Sequence, residues 1–240
     1  HAIAVCNATA ALHLALLVAE VGVGDRVITS ANTFLSSANC AAFVGATPDF
    51  CDIDPASYCM SADALRSSWS DDVKAVIPVA YAGLSADMKE IAGIAREGGA
   101  VVIEDASHGT GGGFFQDGRA WKQGGHPWAD MTVFSFHPVK TLTTGEGGMM
   151  VTDSDHYAER ARLLRTHGMT REVADFSGLG SSEDFLAEKG PWYYEMQKLG
   201  HNFRITDIQC ALGISQLKKL DRFVSRRRVI VAKYNASLCN

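Results

Sequence analysis

Apolar and polar positions follow two alternating rhythms along the first 110 residues. "NATAALHLALLVAEVGVG" (7–24) carries apolar residues at helical spacing and closes on Gly22 and Gly24, which predicts a helix with a glycine stop. "DRVITSA" (25–31) then predicts a short strand, "SSANCAAFVG" (36–45) a helix, and "TPDFCDID" (47–54) a strand with a polar exit. "SADALRSSW" (61–69) predicts a helix and "KAVIPVAYAG" (74–83) a nearly all-apolar strand. "DMKEIAGIAREGG" (87–99) reads as an amphipathic helix ending in glycines, and "AVVIEDAS" (100–107) as another apolar strand. Apolar strands alternating with helices imply βαβ units and a mainly parallel sheet with helices on both faces.

After residue 110 the rhythm changes. "GTGGGFFQDGRAWKQGGHPWAD" (109–130) is glycine-rich and predicts a loop or hairpin, and "MTVFSFH" (131–137) and "GGMMVTD" (147–153) predict strands flanking a loop that holds Lys140. "DHYAERARLLRTHG" (155–168) predicts a helix, and 168–200 reads as irregular. "TDIQCALGISQLKKLDRFVSRRRVIVAKYNASL" (206–238) predicts one long helix opened by a Thr206/Asp207 cap. The chain begins at His1 inside an apolar run and ends inside a helical pattern, so it reads as part of a longer protein.

Composition narrows the function. The 240 residues are 47% hydrophobic and 20% charged, an ordinary globular balance. A formal charge of -5 argues against nucleic acid as a partner. Arg226-Arg227-Arg228 reads as a solvated helix face. No apolar run approaches a membrane span of roughly 20 residues, and no signal peptide is evident. Cys6, Cys40, Cys51, Cys59, Cys210 and Cys239 show no CxxC spacing. Free thiols in a reducing cytoplasm are expected, with no zinc site.

Candidate chemistry collects at strand ends. In an open parallel sheet, ligands bind beyond the carboxyl ends of the strands. Asp105 follows "AVVIE", Phe34 follows "RVITSANT", and Ser135 to Lys140 follow "MTVF". Lysine is an unexpected choice after so apolar a strand, because burying an ammonium is costly. Burial lowers its pKa, which suits a lysine that must react as a neutral amine. A lysine, a carboxylate and an aromatic ring on one sheet edge suit pyridoxal 5'-phosphate (PLP), whose aldehyde takes the lysine and whose ring nitrogen takes the carboxylate. The start of the 7–24 helix, at Thr9-Ala10, offers N–H groups for the phosphate, and Ser135 offers a hydroxyl. Each residue also has an ordinary role: Lys140 a surface lysine, Asp105 a cap or turn carboxylate, Phe34 a core ring, His108 a structural histidine. The run "GTGGGFF" invites a dinucleotide-binding interpretation, but no helix follows it.

"FSFHPVKTLTTGEGGMMVT", "VIEDASHGTG" and "LGHNFRITDIQCALGISQLKKLD" together resemble the DegT/DnrJ/EryC1/StrS family of PLP-dependent sugar aminotransferases. The likeness runs from "NATAALHLAL" to "QLKKLD". "PWYYEMQKLGHNFRITD" further resembles the branch that aminates UDP-4-keto-6-deoxy-N-acetyl-L-altrosamine on the way to pseudaminic acid. The resemblance implies an α/β fold, the PLP-dependent transferase fold type I. Residues 1–205 would form the PLP-binding large domain without its N-terminal segment, and 206–240 a helix leading into a truncated small domain. It implies Lys140 as the Schiff-base lysine and proton carrier, Asp105 at the pyridine nitrogen, and His108 beside the phenolic oxygen. Phe34 would stack on the ring, and Thr9, Ala10 and Ser135 would hold the phosphate. Asn202 would reach the cofactor of a second subunit, making a homodimer with shared active sites. The partners implied are a nucleotide-sugar and an amino acid donor, L-glutamate by family expectation, with PLP alternating with its amine form PMP.

Asn7-Ala8-Thr9 stands where relatives commonly read Ser-Gly-Thr, so a positive φ at Ala8 would strain the turn. His137 and Glu146 flank the lysine and could touch substrate or orient the loop; Trp192 to Tyr194 could meet a sugar nucleotide or pack a dimer. Two rivals remain. A sugar dehydratase of the same fold replaces the lysine by histidine, with His137 close by. A non-catalytic sensor that kept the fold would be expected to lose Asp105 or Lys140, and both are present.

Overall fold

A computed structural model of the chain describes residues 1–176, 190 and 192–238. The first half alternates as the pattern predicts: β1 Ala2–Val5, α1 Ala8–Val18, β2 Arg26–Ser30, α2 Ser36–Phe43, β3 Thr47–Cys51, α3 Ala62–Ser67, β4 Val73–Ile77, α4 Met88–Glu97 and β5 Val101–Asp105. A hairpin follows, β6 Gly113–Gln116 and β7 Arg119–Lys122, then β8 Met131–Ser135, β9 Gly148–Val151 and α5 Asp155–Arg165. The short strands β10 Met169–Thr170 and β11 Glu195–Met196 pair with each other, and the helices α6 Asp207–Leu217 and α7 Leu220–Leu238 complete the described chain.

Seven strands form the main sheet in the order β1-β9-β8-β5-β4-β2-β3. The contacts from β3 through β2, β4 and β5 to β8 are parallel; β9 runs antiparallel between β8 and β1. Successive strand residues point to opposite faces, so each apolar strand feeds two cores. Ala75, Ile77, Ile103 and Val27 pack with α1, α2 and α5, whereas Val76, Val102 and Ile28 pack with α3 and α4. Each fully buried Leu or Ile contributes about 1.5–3 kcal/mol. This is the mixed α/β architecture expected, a largely parallel sheet covered on both faces.

Helix starts are fixed by polar caps. The side chains of Asn7, Ser61, Asp87 and Ser154 accept N–H bonds in the first turns of α1, α3, α4 and α5. In α4 the buried Met88, Ile91, Ala92 and Ala95 recur at one-turn spacing and build its inner face.

Some elements differ from the sequence pattern. β1 was not predicted; it gains its ladder from β9, far along the chain. Helix α1 stops at Val18 with an Ala19 cap rather than running to Gly24, and β4 ends at Ile77 because Pro78 offers no N–H. The single helix expected over 206–238 is two. Lys219 bonds back to Gln216, a tightened i→i+3 turn, and this break lets Leu220 and Val224 pack on Gly111. Ala8 carries no strain: it is the first helical residue of α1 and is absent from the positive-φ residues, while Asn7 is extended at φ -169°.

Cys40, Cys51 and Cys59 are buried free thiols and Cys6 and Cys210 are half-buried; Cys239 lies outside the described residues, as do 177–189 and Pro191 of the region read as irregular. Among the described residues, no helix is long and apolar enough to cross a membrane, and no group of three or more His, Cys, Asp or Glu could hold a metal ion.

Candidate active site

The carboxyl ends of β2, β4, β5 and β8 open onto a cleft of about 320 Å³ whose walls also include the N-terminus of α1. Lys140, Asp105, His108, Phe34, Ser135 and Thr9 all line it, with His137 and Glu146 at one side. Ala10 does not line the cleft, and neither does Asn202, which is expected to serve the cofactor of a second subunit. Ala10 is buried in α1 and its N–H is taken by Asn7 Oδ1 at 2.8 Å. Asn202 is exposed, in an isolated bridge to Thr166. Trp192 and Tyr194 are exposed away from the cleft.

Lys140 sits on the connection between β8 and β9, which pair from Thr132↔Val151 to Ser135↔Gly148. The connection is stapled to itself. The Lys140 N–H donates to His137 O at 3.0 Å, and Thr144 N and Thr143 Oγ1 both donate to Phe136 O at 2.9 Å. Phe136 N closes the base on Gly147 O at 2.8 Å. These bonds fix the backbone that carries the amine. Burial pushes the Lys140 pKa below the ordinary lysine value, and the charge of Asp105 opposes this without cancelling it.

Asp105 is 4% exposed and held from several directions. Its backbone bridges the tail of β4, through Pro78 O and Ala80 N. Its Oδ2 accepts the Ser37 hydroxyl at 2.8 Å and its Oδ1 accepts the Ser107 N–H at 3.1 Å. His108 follows on the same turn. Burial lowers its pKa first, Lys140 adds to this and Asp105 opposes it. Its Nδ1 accepts the Ala82 N–H at 3.2 Å, so the neutral ring carries its proton on Nε2.

The start of α1 adds donors to the cleft wall. Ala8 and Thr9 are the first two residues of α1, whose N–H groups have no partner within the helix. Thr9 Oγ1 lies 2.6 Å from Ser36 Oγ, and Ser135 Oγ accepts from His137 N at 3.3 Å, which leaves the Ser135 proton to donate. Phe34, 71% exposed, also lines the cleft. His137 Nε2 and Glu146 Oε1 lie 3.8 Å apart, both largely exposed.

Sequence inspection missed Ser37, Thr33, Ser36, Asn7 and Tyr81, which line the cleft or bond to residues that do. Only Asn7 carried a local signal, as a capping residue before the apolar run.

The sequence profile of the DegT/DnrJ/EryC1/StrS aminotransferase family matches residues 1–240. The chain belongs to this family. Within it, SpsC of Bacillus subtilis, a spore coat polysaccharide biosynthesis protein, is 39% identical over 237 residues, covering 99% of this chain and 57% of SpsC. PseC of Helicobacter pylori, an aminotransferase involved in the biosynthesis of pseudoaminic acid, matches at 31% identity and a TM-score of 0.82, over 98% of this chain and 58% of PseC. The PMP form of Spr1654 from Streptococcus pneumoniae, a sugar aminotransferase by assignment, matches at 29% identity and a TM-score of 0.83, over 98% of this chain and 60% of Spr1654. The chain thus spans a little under three fifths of SpsC and PseC.

Proposed function

We propose that the protein is a PLP-dependent aminotransferase that places an amino group on a nucleotide-linked 4-keto-6-deoxy sugar, with L-glutamate as donor, in the making of pseudaminic acid or a related amino sugar. One observation carries this: a lysine whose charged form is disfavoured shares a cleft with a buried, doubly hydrogen-bonded carboxylate. Family membership and the likeness to PseC support the sugar substrate. The PMP form of Spr1654 supports the cofactor.

The residues fit PLP. An aromatic ring, a carboxylate, an amine and a helix N-terminus stand around one cleft, each matching one part of the cofactor. When bound, PLP supplies an aldehyde that exchanges amino groups and a ring that draws off negative charge. The protein does the rest. With PLP bound, Asp105 would hold a proton at the ring nitrogen, and His108 Nε2–H would donate to the phenolic oxygen. Phe34 would cover one ring face and keep water from it, while Thr9, Ser135 and the first amides of α1 would bind the phosphate. The neutral Nζ of Lys140 would accept and return the proton that the amino-group exchange moves.

We place the enzyme in the cytoplasm as a homodimer, with Asn202 reaching the partner's cofactor. Residues 1–205 are its cofactor-binding unit and 206–240 lead to a smaller domain.

A visible spectrum of the full-length protein with PLP tests the proposal. L-glutamate should bleach the cofactor band and a UDP-4-keto-6-deoxy sugar should restore it. Lys140→Ala should lower turnover by about 10²–10⁴ or more. Full turnover in that variant, or a band indifferent to both substrates, would sink the proposal.

A further inference from the structure

The Asp105 carboxylate, which lines the cleft, is held from behind by hydroxyls of α2 and the turn before it. Ser37, on the first turn of α2, is wholly buried, and its hydroxyl donates to Asp105 Oδ2 at 2.8 Å. Ser37 Oγ also lies 2.8 Å from Thr33 Oγ1. A serine hydroxyl has one proton, and a carboxylate oxygen can only accept. The Ser37 proton is therefore spent on Asp105, and the Thr33 contact must run the other way, with Thr33 donating to Ser37. Thr33 Oγ1 also lies 3.3 Å from Phe34 O, a longer contact than the 2.8 Å to Ser37 Oγ, so the Ser37 oxygen is the nearer acceptor for the Thr33 proton.

We infer that Thr33 and Ser37 form a directed relay that positions Asp105 for the ring nitrogen of the cofactor, with Ser37 as a positioning residue; this rests on the function proposed above. Three features support it. First, the two oxygens of Asp105 take their donors from different elements, Ser37 on α2 and Ser107 after β5, so the carboxylate plane is set between them. Loss of either donor lets the plane rotate. Second, the buried site holds the carboxylate by hydrogen bonds to its charged form, and such bonds are stronger than neutral ones. Third, Thr33 immediately precedes Phe34, and both line the cleft. The residue proposed to cover the ring face and the residue proposed to hold the ring nitrogen are thereby tied through two hydrogen bonds. The titratable groups facing Asp105 are Cys40 on α2, His108 on its own turn, and Lys140 after β8; none of them can replace the Ser37 donor, since none is bonded to Oδ2.

The test compares wild type, Ser37→Ala and Thr33→Val in the full-length protein. The readouts are the PLP dissociation constant, the circular dichroism of the bound cofactor band per mole of PLP, and the melting temperature without cofactor. Ser37→Ala should weaken PLP binding about tenfold, as loss of an outer support of a ligand-binding group commonly does, and should reduce the dichroism because the ring is less rigidly held. Thr33→Val should act in the same direction by about threefold. If Ser37→Ala fails to fold, Thr33→Val decides the matter. Affinity and dichroism equal to wild type, with only the melting temperature lowered, would show Ser37 to be a packing residue and overturn the relay. A wild type that binds no PLP would overturn the proposed function itself, and the relay with it.

Discussion

Lys140 is placed where its charge is unwelcome, and the protein's stability bears the cost. Its pKa is lowered in the folded state, chiefly by burial. The unfolded chain therefore binds more protons in the window between the folded value and the ordinary 10.5, so stability rises with pH across that window. Below it the penalty is present in full. Lys140→Met should accordingly raise the melting temperature of the cofactor-free protein at neutral pH, measured by calorimetry. The gain should shrink as pH approaches the top of the window. A lower melting temperature at neutral pH would mean that attraction to Asp105 outweighs burial. Lys140 was legible in the sequence because an apolar strand leads straight into it, as Asp105 and Phe34 were because they stand at strand ends. Ser37 was not, since its meaning lies in a bond to a residue 68 positions away. Ala10 was misplaced for the opposite reason: its local pattern suits an anion, but the neighbouring Asn7 caps that N–H first.

At the scale of elements, the proposed phosphate site depends on how closely α1 approaches β9. A Cβ on Gly148 would lie 2.6 Å from the carbonyl carbon of Asn7 and 2.7 Å from Ala8 N. These are backbone atoms at a helix start and cannot swing aside like a flexible side chain. Gly148→Ala should thus push the start of α1 from the sheet, costing about 1–3 kcal/mol by overpacking. It should also weaken PLP binding, because the displaced turn carries Thr9 and the free amides. Chemical denaturation and PLP titration check both parts; a stable variant with unchanged affinity would show that α1 tolerates the shift. The glycines around 147–148 were visible in the sequence, but their purpose was not, because close approach is a property of two elements together. The alternation of β2 to β5 with their helices was legible because each buries apolar residues at its own period. β1 was not, as four residues form a strand only once β9 offers its edge. The break after α6 escaped because no glycine or proline marks it, and packing of Leu220 and Val224 on Gly111 selects it instead.

Across the whole molecule, the apolar surface is unevenly distributed. The central strands of the sheet are covered, yet α6 and α7 bury no residue completely, and Ile208 is 84% exposed with Ile214 and Leu217 also open to solvent. Leu199 and Met196 add exposed apolar area next to the segment that carries Asn202. Exposed apolar side chains of this kind suit an interface, and the proposed homodimer gives them one occupant, a second copy of the chain. Burying Ile208 there would contribute about 1.5–3 kcal/mol, so Ile208→Asp should weaken dimerisation at least about tenfold, measured by analytical ultracentrifugation of the full-length protein. PLP affinity should fall in parallel, because Asn202 is proposed to act across the interface. Asn202→Ala separates the two effects: it should leave the dimer intact and still weaken PLP binding, since the lost contact is with the partner's cofactor and not with the partner's surface. A monomeric Ile208→Asp that binds PLP as tightly as wild type would show that each chain completes its own site. Asn202 would then be an ordinary exposed asparagine, and the cleft formed by Lys140, Asp105 and the start of α1 would suffice by itself.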